Sequence, residues 1–354
     1  MINLAINGFG RIGRQAFKVA FDRKDFKIVA VNDLTDTKTL AHLLQHDTAY
    51  GKYKYTVGFD EKNIIIGNPS AWFDSAHHGS LRTRKVPVLA EKDPALLPWK
   101  KLKVDVVIES TGRFTKKEDA SLHLKAGAKK VILSAPAKSS SSAGEGGGVP
   151  TYVRGVNCGK VGKETSCVIN NASCTTNCIA PVMAVLDEKF GIEKAMMSTV
   201  HGYTADQNLQ DAPHKDLRRA RAAAENIVPT STGAAKAVGE VKTNLQGIFD
   251  GVAFRVPVPT CSLSDLTIVL KKNVTKEEVN QALIDASKTK RFEGILFCTN
   301  EPLVSADYVG NTYSSIVDLP LTNVVGGNLV KVVAWYDNEV GYSHRLVEMA
   351  KLFA

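Results

Sequence analysis

Continuous apolar runs mark the first third of the chain as a series of short strands divided by helical patterns. Ile2 to Asn7 is apolar and runs straight into GFGRIG, after which a helical stretch is predicted from about Arg11 to Asp22. A second apolar run, FKIVAVND, ends at Asp33, and Leu40, Leu43 and Leu44 recur at helical spacing. Val104 to Thr111 (VDVVIEST) reads as a buried strand stopped by Gly112. Thr115 to Glu118 has capping-box spacing for a helix closing near Gly127, and KVILSAPA follows as a further strand. Such alternation predicts a mostly parallel sheet.

Two stretches fall outside that plan. Gly67 to Val88 reads as a basic loop containing Asn68, Pro69, His77, His78, Gly79, Arg82, Arg84 and Lys85, and its two adjacent histidines lack metal-ligand spacing. Lys138 to Pro150 (KSSSSAGEGGGVP) is low-complexity and reads as a flexible surface loop, with strand-like TYVRGVN behind it.

In the second half, NNASCTTNC (Asn170 to Cys178) leads into Ile179, Val182, Met183, Val185 and Leu186 at helical spacing, closed by Gly191. This places Cys174 at a helix start, where unpaired N–H groups and the helix dipole favour a nucleophilic thiolate. Ser173, Thr175 and Thr176 add hydroxyls that can cap the helix or hold an anion. A strand-like run, AMMSTVHGYTADQ, then delivers His201 as a candidate base and partner for the sulfur. Thr230 to Gly233 opens another helix as a second anion site, and Arg255 adds a cation.

At 354 residues the chain exceeds the usual size of a single core, so two domains are expected. No apolar stretch approaches the roughly 18 residues of a membrane span. Six cysteines without paired zinc spacing suit a reducing, cytoplasmic setting, and no metal site is expected. A formal charge of +9 suits phosphates and dinucleotides; with no RNA-binding signature, nucleic-acid binding is at most incidental.

The glycine run carries its own chemistry. Gly8 permits a tight turn, Gly10 lets a pyrophosphate approach the backbone, and Gly13 allows close packing of helix on strand. The helix start at Arg11 and Ile12 offers N–H groups to phosphate. Asp33, twenty residues beyond Gly13, is placed to accept both ribose hydroxyls and to repel a 2′-phosphate, which selects NAD over NADP. Ser110, Thr111, Gly112 and Ser134 close strands at their carboxyl ends, where ligands of such sheets bind.

Taken together, NGFGRIGR, ESTGRFT, SAPAK, ASCTTNC, the run His201 to Gln207, PTSTGAAKAVG, FRVPVPT and WYDNEVGY resemble, in order and over essentially the whole chain, the phosphorylating glyceraldehyde-3-phosphate dehydrogenases of glycolysis. The resemblance implies an α/β protein with a Rossmann-type, doubly wound parallel-sheet domain over residues 1–173, completed by a C-terminal helix at 338–354. It also implies an α+β catalytic domain with an antiparallel sheet over 174–337, and a cytoplasmic homotetramer. Cys174 would be the nucleophile and His201 its partner. Gly8, Gly10, Arg11, Ile12, Gly13, Asp33, Lys92, Ser134, Asn338 and Tyr342 fall on cofactor positions. Ser173, Thr175, Thr204, Thr232, Gly233 and Arg255 fall on positions for substrate phosphate or inorganic phosphate. Pro213 matches the NAD-using pattern.

Departures are few: Val340 stands where the family usually has Trp, and Lys92 where it commonly has Arg. The implied reaction converts glyceraldehyde 3-phosphate, NAD and inorganic phosphate to 1,3-bisphosphoglycerate through a Cys174 thioester. The competing expectations are an erythrose-4-phosphate dehydrogenase that hydrolyses its thioester, and a non-catalytic basic Rossmann-type binding module.

Overall fold

In the computed structural model, which describes residues 1–67, 83–138, 148–161 and 165–354, the chain forms two units. One comprises Met1–Pro150, Gly162–Asn170 and Leu346–Ala354; the other comprises Thr151–Val161 and Asn171–Arg345.

The first unit is built on strands β1 (Ile2–Asn7) and β2 (Phe26–Asn32), a short pair β3 (His46–Asp47) and β4 (Gly51–Lys52), then β5 (Thr56–Phe59), β6 (Asn63–Gly67), β7 (Arg84–Leu89), β8 (Val106–Glu109), β9 (Lys130–Leu133) and β10 (Val168–Asn170). Its main sheet runs β10-β9-β8-β1-β2-β7-β6-β5. Pairing is parallel from β10 to β7, and only β6 and β5 join antiparallel. Helices α1 (Arg11–Phe21), α2 (Thr37–Gln45), α3 (Trp99–Leu102), α4 (Lys117–Ala120) and α5 (Leu122–Lys125) connect the strands. Leu4 to Ile6, Val106 to Ile108 and Val131 to Leu133 are fully buried, as parallel strands covered on both faces must be.

Three expectations are corrected here. Arg84 to Leu89 is a strand, because Val86 packs into the core beside Ile64 and Ile66. The helix expected from a cap at Thr115 is two single turns meeting at Ser121, and the first is preceded by Lys116 without a side-chain cap. TYVRGVN forms a bridge and turns, in which the Asn157 side chain accepts from Val153 N–H and donates to Thr151 O. Asn68, Pro69, His77, His78, Gly79 and Arg82, and the centre of the low-complexity segment, lie outside the described residues.

The second unit packs α6 (Cys174–Phe190), α7 (Ala234–Val241) and α8 (Lys276–Ser287) on a sheet of β11 (Ile192–Gly202), β12 (Val228–Ser231), β13 (Phe249–Val256), β14 (Ser262–Leu270), β15 (Leu296–Thr299), β16 (Ser315–Asp318), β17 (Asn323–Val325) and β18 (Leu329–Tyr336). The order is β12-β13-β11-β14-β18-β16-β15, with β17 on β18. Pairings are antiparallel except β11 with β13 and β15 with β16. Alternating burial along β14 shows one sheet face turned to the helices and the other outward. A final helix, α9 (Val340–Phe353), begins in this unit and ends in the first, where Lys351 pairs with Asp25 at 2.9 Å.

Candidate active site

Cys174 is the first residue of α6, and local sequence explains why the helix begins there. Ser173 takes an extended conformation and its Oγ accepts from Thr176 N–H at 3.1 Å, which caps the first turn. Ala172 before it is left-handed (φ 54°), a strained conformation for a residue with a Cβ. Tyr342, buried in α9, donates from Oη to Ala172 O at 3.1 Å and holds that kink. The Cys174 side chain is therefore aimed by a cap on one side and a phenol on the other.

Sheet register supplies its partners. In the parallel β11–β13 pair His201 lies opposite Arg255, so both side chains emerge together at one end of the sheet. His201 Nε2 is 3.5 Å from Cys174 Sγ. On the other side of the ring, Nδ1 lies 2.7 Å from Gly202 O, an atom that can only accept and so favours the proton on Nδ1. Arg255 Nη1 donates to the same carbonyl at 3.1 Å and sits 2.5 Å from Nδ1. With the proton on Nδ1, Nε2 turns its lone pair to the sulfur.

Burial, and after it the Arg255 charge, pull the His201 imidazole down to about 3, so it is neutral. Cys174 moves the other way. Burial of the sulfur raises the thiol above its ordinary value, and Arg255, the Thr175 hydroxyl and the backbone N–H groups of Thr175 and Cys174 oppose it without prevailing. Burial thus works against the thiolate that the helix start favours. The sulfur faces a neutral imidazole.

Sequence reasoning missed a second layer of polar groups around this pair. Thr199 Oγ1 donates to Leu263 O at 3.1 Å; Tyr336 Oη lies 2.9 Å from Thr199 Oγ1 and 2.8 Å from Thr175 Oγ1. Each hydroxyl has one proton, so the chain runs from Thr175 to Tyr336 to Thr199 to the carbonyl. Ser262, opposite Tyr336 in the β14–β18 register, accepts from Gly202 N–H at 3.2 Å and donates to Asn338 Oδ1 at 2.9 Å. That donation fixes the Asn338 amide with its oxygen turned inward and its Nδ2 available to a ligand acceptor. Nothing in the local sequence around Ser262 signals this, since the link depends on three segments meeting.

The expected phosphate groups are only partly gathered. Thr176 Oγ1 donates to Ala234 O at 3.5 Å, which brings the first turns of α6 and α7 together. Thr232 and Gly233 lie at the entry to α7, where Thr232 Oγ1 accepts from Ala234 N–H at 3.2 Å and the space beside the Gly233 Cα is open. Thr204 is turned instead to Asp206, which is paired with Arg219.

In the other unit, the turn after β1 fits a dinucleotide by its shape. Gly8 has φ 91°, and a Cβ there would meet Thr111 N at 2.7 Å; a Cβ on Gly13 would meet Gly8 O at 2.0 Å. Above Gly10 nothing lies within 4 Å of a Cβ position, so a phosphate has room against the backbone. The start of α1 has no side-chain cap and no acid in its first turn, which leaves the amide end to an anion. Asp33 already carries part of this loop, since its Oδ2 accepts from Phe9 N–H at 2.8 Å and its Oδ1 from Thr35 N–H at 3.0 Å. Ser134 is held at the end of β9 through its N–H to Glu109 O at 2.9 Å, whereas Lys92 is exposed.

Two family models match the chain: the glyceraldehyde 3-phosphate dehydrogenase NAD binding domain over residues 2–117, and the C-terminal domain of the same enzymes over 173–338. The glyceraldehyde-3-phosphate dehydrogenase of Geobacillus stearothermophilus is 51% identical over 353 residues, covering 100% of this chain and 98% of the relative. Its namesake from Thermotoga maritima is 50% identical over 354 residues, covering 99% of each. The chain belongs to the glyceraldehyde-3-phosphate dehydrogenase family.

As a member of that family it is an NAD-dependent oxidoreductase acting on an aldehyde. Val340, its departure from the usual family tryptophan, is half-buried in the first turn of α9 and donates its N–H to Asp337 Oδ1 at 2.9 Å. The cap on α9 thus uses backbone, which the substitution leaves unchanged. Among the described residues no helix is long and apolar enough to cross a membrane, and no group of three His, Cys, Asp or Glu side chains is placed to hold a metal ion.

Proposed function

We propose that this chain oxidises glyceraldehyde 3-phosphate and passes the acyl group to inorganic phosphate, giving 1,3-bisphosphoglycerate. The observation that carries the reading is the 3.5 Å approach of His201 Nε2 to Cys174 Sγ. His201 takes the thiol proton as sulfur attacks the aldehyde carbon, which makes the nucleophile at the moment it is needed. The oxyanion formed faces the positive end of α6, with Arg255 close by. Bound NAD supplies the hydride acceptor. The residues assigned to it are Gly8, Gly10, Arg11, Ile12, Gly13, Asp33, Lys92 and Ser134, with Asn338 for the carboxamide and Tyr342 behind it.

Cys174 retains the oxidised acyl group as a thioester until phosphate attacks carbon and the thiolate leaves. Ser173, Thr175, Thr204, Thr232, Gly233 and Arg255 are assigned to the two phosphates. A contact from the Thr175 proton requires the hydroxyl chain through Tyr336 and Thr199 to reverse. NADH formation should depend on inorganic phosphate with glyceraldehyde 3-phosphate and be much weaker with erythrose 4-phosphate. A rate indifferent to phosphate would replace this reading with the hydrolytic one.

We also assign a homotetramer in the cytoplasm. Support comes from apolar residues left outward on the second unit, Met196 on β11 and Val252 on β13 together with Leu209, Leu217 and Ile227 between β11 and β12, and from six cysteines that form no disulfide. Light scattering of the purified chain would show a mass four times that of the monomer; a monomer would reject the assignment.

A further inference from the structure

One buried polar cluster takes no part in the chemistry above. It lies in the dinucleotide unit and joins Trp99, His123, Glu109, Asn7 and Asn32, all buried, with Trp99 and His123 fully enclosed. Trp99 Nε1 is 2.9 Å from His123 Nδ1, and His123 Nε2 is 3.0 Å from Glu109 Oε2. Asn7 Nδ2 reaches the same carboxylate oxygen at 2.5 Å. The other oxygen accepts from Thr111 N–H at 2.8 Å and from the Thr111 hydroxyl. Asn32 Nδ2 donates to Asn7 Oδ1 at 2.7 Å, and Asn32 Oδ1 accepts from Glu91 N–H at 2.9 Å.

The polarity of the whole chain is set from one end. An indole N–H can only donate, so His123 Nδ1 accepts and the ring proton resides on Nε2, directed at Glu109. The Asn7 amide then has only one orientation, with nitrogen toward Glu109 and oxygen toward Asn32. A buried carboxylate is costly unless its lone pairs are filled, and removing one donor leaves that cost uncompensated.

Both arms of Glu109 end on the glycine turn. Asn7 is the residue before Gly8, and Thr111 N is the atom that a Gly8 Cβ would strike. Ser110, between Glu109 and Thr111, donates from Oγ to Gly8 O at 2.7 Å. We propose that His123 is a positioning residue for dinucleotide binding: with Trp99 it locks Glu109, and Glu109 holds Asn7 and Thr111 so that the glycine turn keeps the shape a pyrophosphate needs. The proposal rests on the NAD reading of this unit.

The test compares His123→Leu with His123→Gln in the full-length chain, reading NAD affinity by calorimetry and steady-state kinetics alongside. Leu removes both the acceptor and the donor; Gln can replace each with its oxygen and nitrogen. The Leu variant should bind NAD about tenfold more weakly, with KM for NAD raised in step and the rate at saturating NAD within about twofold of wild type. In the Gln variant affinity should return to within about threefold of wild type. Equal NAD affinity in the two variants, or a loss of thermal stability in Leu with NAD affinity intact, would reduce the cluster to core packing. Should the Leu variant not fold, Trp99→Phe removes the donor that sets the tautomer, and an unchanged NAD affinity there would overturn the proposal. A wild-type chain that fails to bind NAD would instead sink the functional reading itself.

Discussion

The two units hold their ligand-facing groups by opposite means. In the dinucleotide unit the proposed phosphate contacts are backbone, presented by a turn six residues long whose shape follows from having no side chains at three places. In the catalytic unit the working groups are side chains, drawn from the start of α6, the ends of β11 and β13, the start of β14 and the entry to α9. The first arrangement is local and fails by steric filling. The second is non-local and fails by loss of proton donors, acceptors and register.

The largest effect should come from the nucleophile. Cys174→Ala is expected to lower NADH formation by at least about a thousandfold while NAD affinity, measured by calorimetry, stays at the wild-type value. Retained turnover would place the chemistry elsewhere, and lost NAD affinity would show that the two sites are not separable in the way drawn here.

Next in size is His201→Asn, for which hydride transfer in a stopped-flow burst should slow by about a hundredfold or more. The same substitution has a stability signature. His201 falls from its ordinary 6.5 to about 3 in the folded chain, so folding favours the neutral ring; that contribution is complete above about 6.5 and is lost as pH falls towards 3. The variant should therefore lose less thermal stability than wild type between pH 7 and pH 4. Parallel melting curves would mean that the ring is not held neutral.

Gly13→Ala probes the other unit. A Cβ 2.0 Å from Gly8 O must push the turn away from α1, and NAD affinity should fall about tenfold or more. Iodoacetamide should modify Cys174 at its usual rate in this variant. A parallel fall in alkylation would blur the contrast between the units.

The smallest change is expected at Ser262→Ala, which frees Asn338 to turn its amide. One hydrogen bond of this kind is worth about 1 kcal/mol, so KM for NAD should rise several-fold with the glycine turn intact. An unchanged KM would mean that Asn338 is oriented by something other than Ser262.

How much of this could be read from residue order differs along the same line. The glycine turn, α1 and Asp33 were legible because their spacing is itself the structure: strand, turn and helix follow within about twenty residues. Cys174 at a helix start was equally plain, since Ser173 and the apolar repeat behind it are local. The protonation state of Cys174 was not. It depends on how much protein covers the sulfur, since burial there works against the helix start. Arg84 to Leu89 looked like loop because its charged ends hide a short apolar centre, which becomes a strand only when β2 and β6 lie on either side. Ser262 and Thr199 are ordinary residues of alternating strands, and only the register of β11, β14 and β18 gives them work.

By itself the sequence determined the α/β alternation, the glycine turn, and the places of Cys174 at a helix start and His201 near a strand end, because backbone freedom at glycine and hydrophobic periodicity act between near neighbours. Tertiary structure alone decided which nitrogen of His201 faces sulfur, which way Asn338 and the Thr175 hydroxyl point, and how far the sulfur is covered. Those properties belong to hydrogen bonds and desolvation created when segments from 27 to 161 residues apart are brought within a few ångströms, and no local pattern carries them.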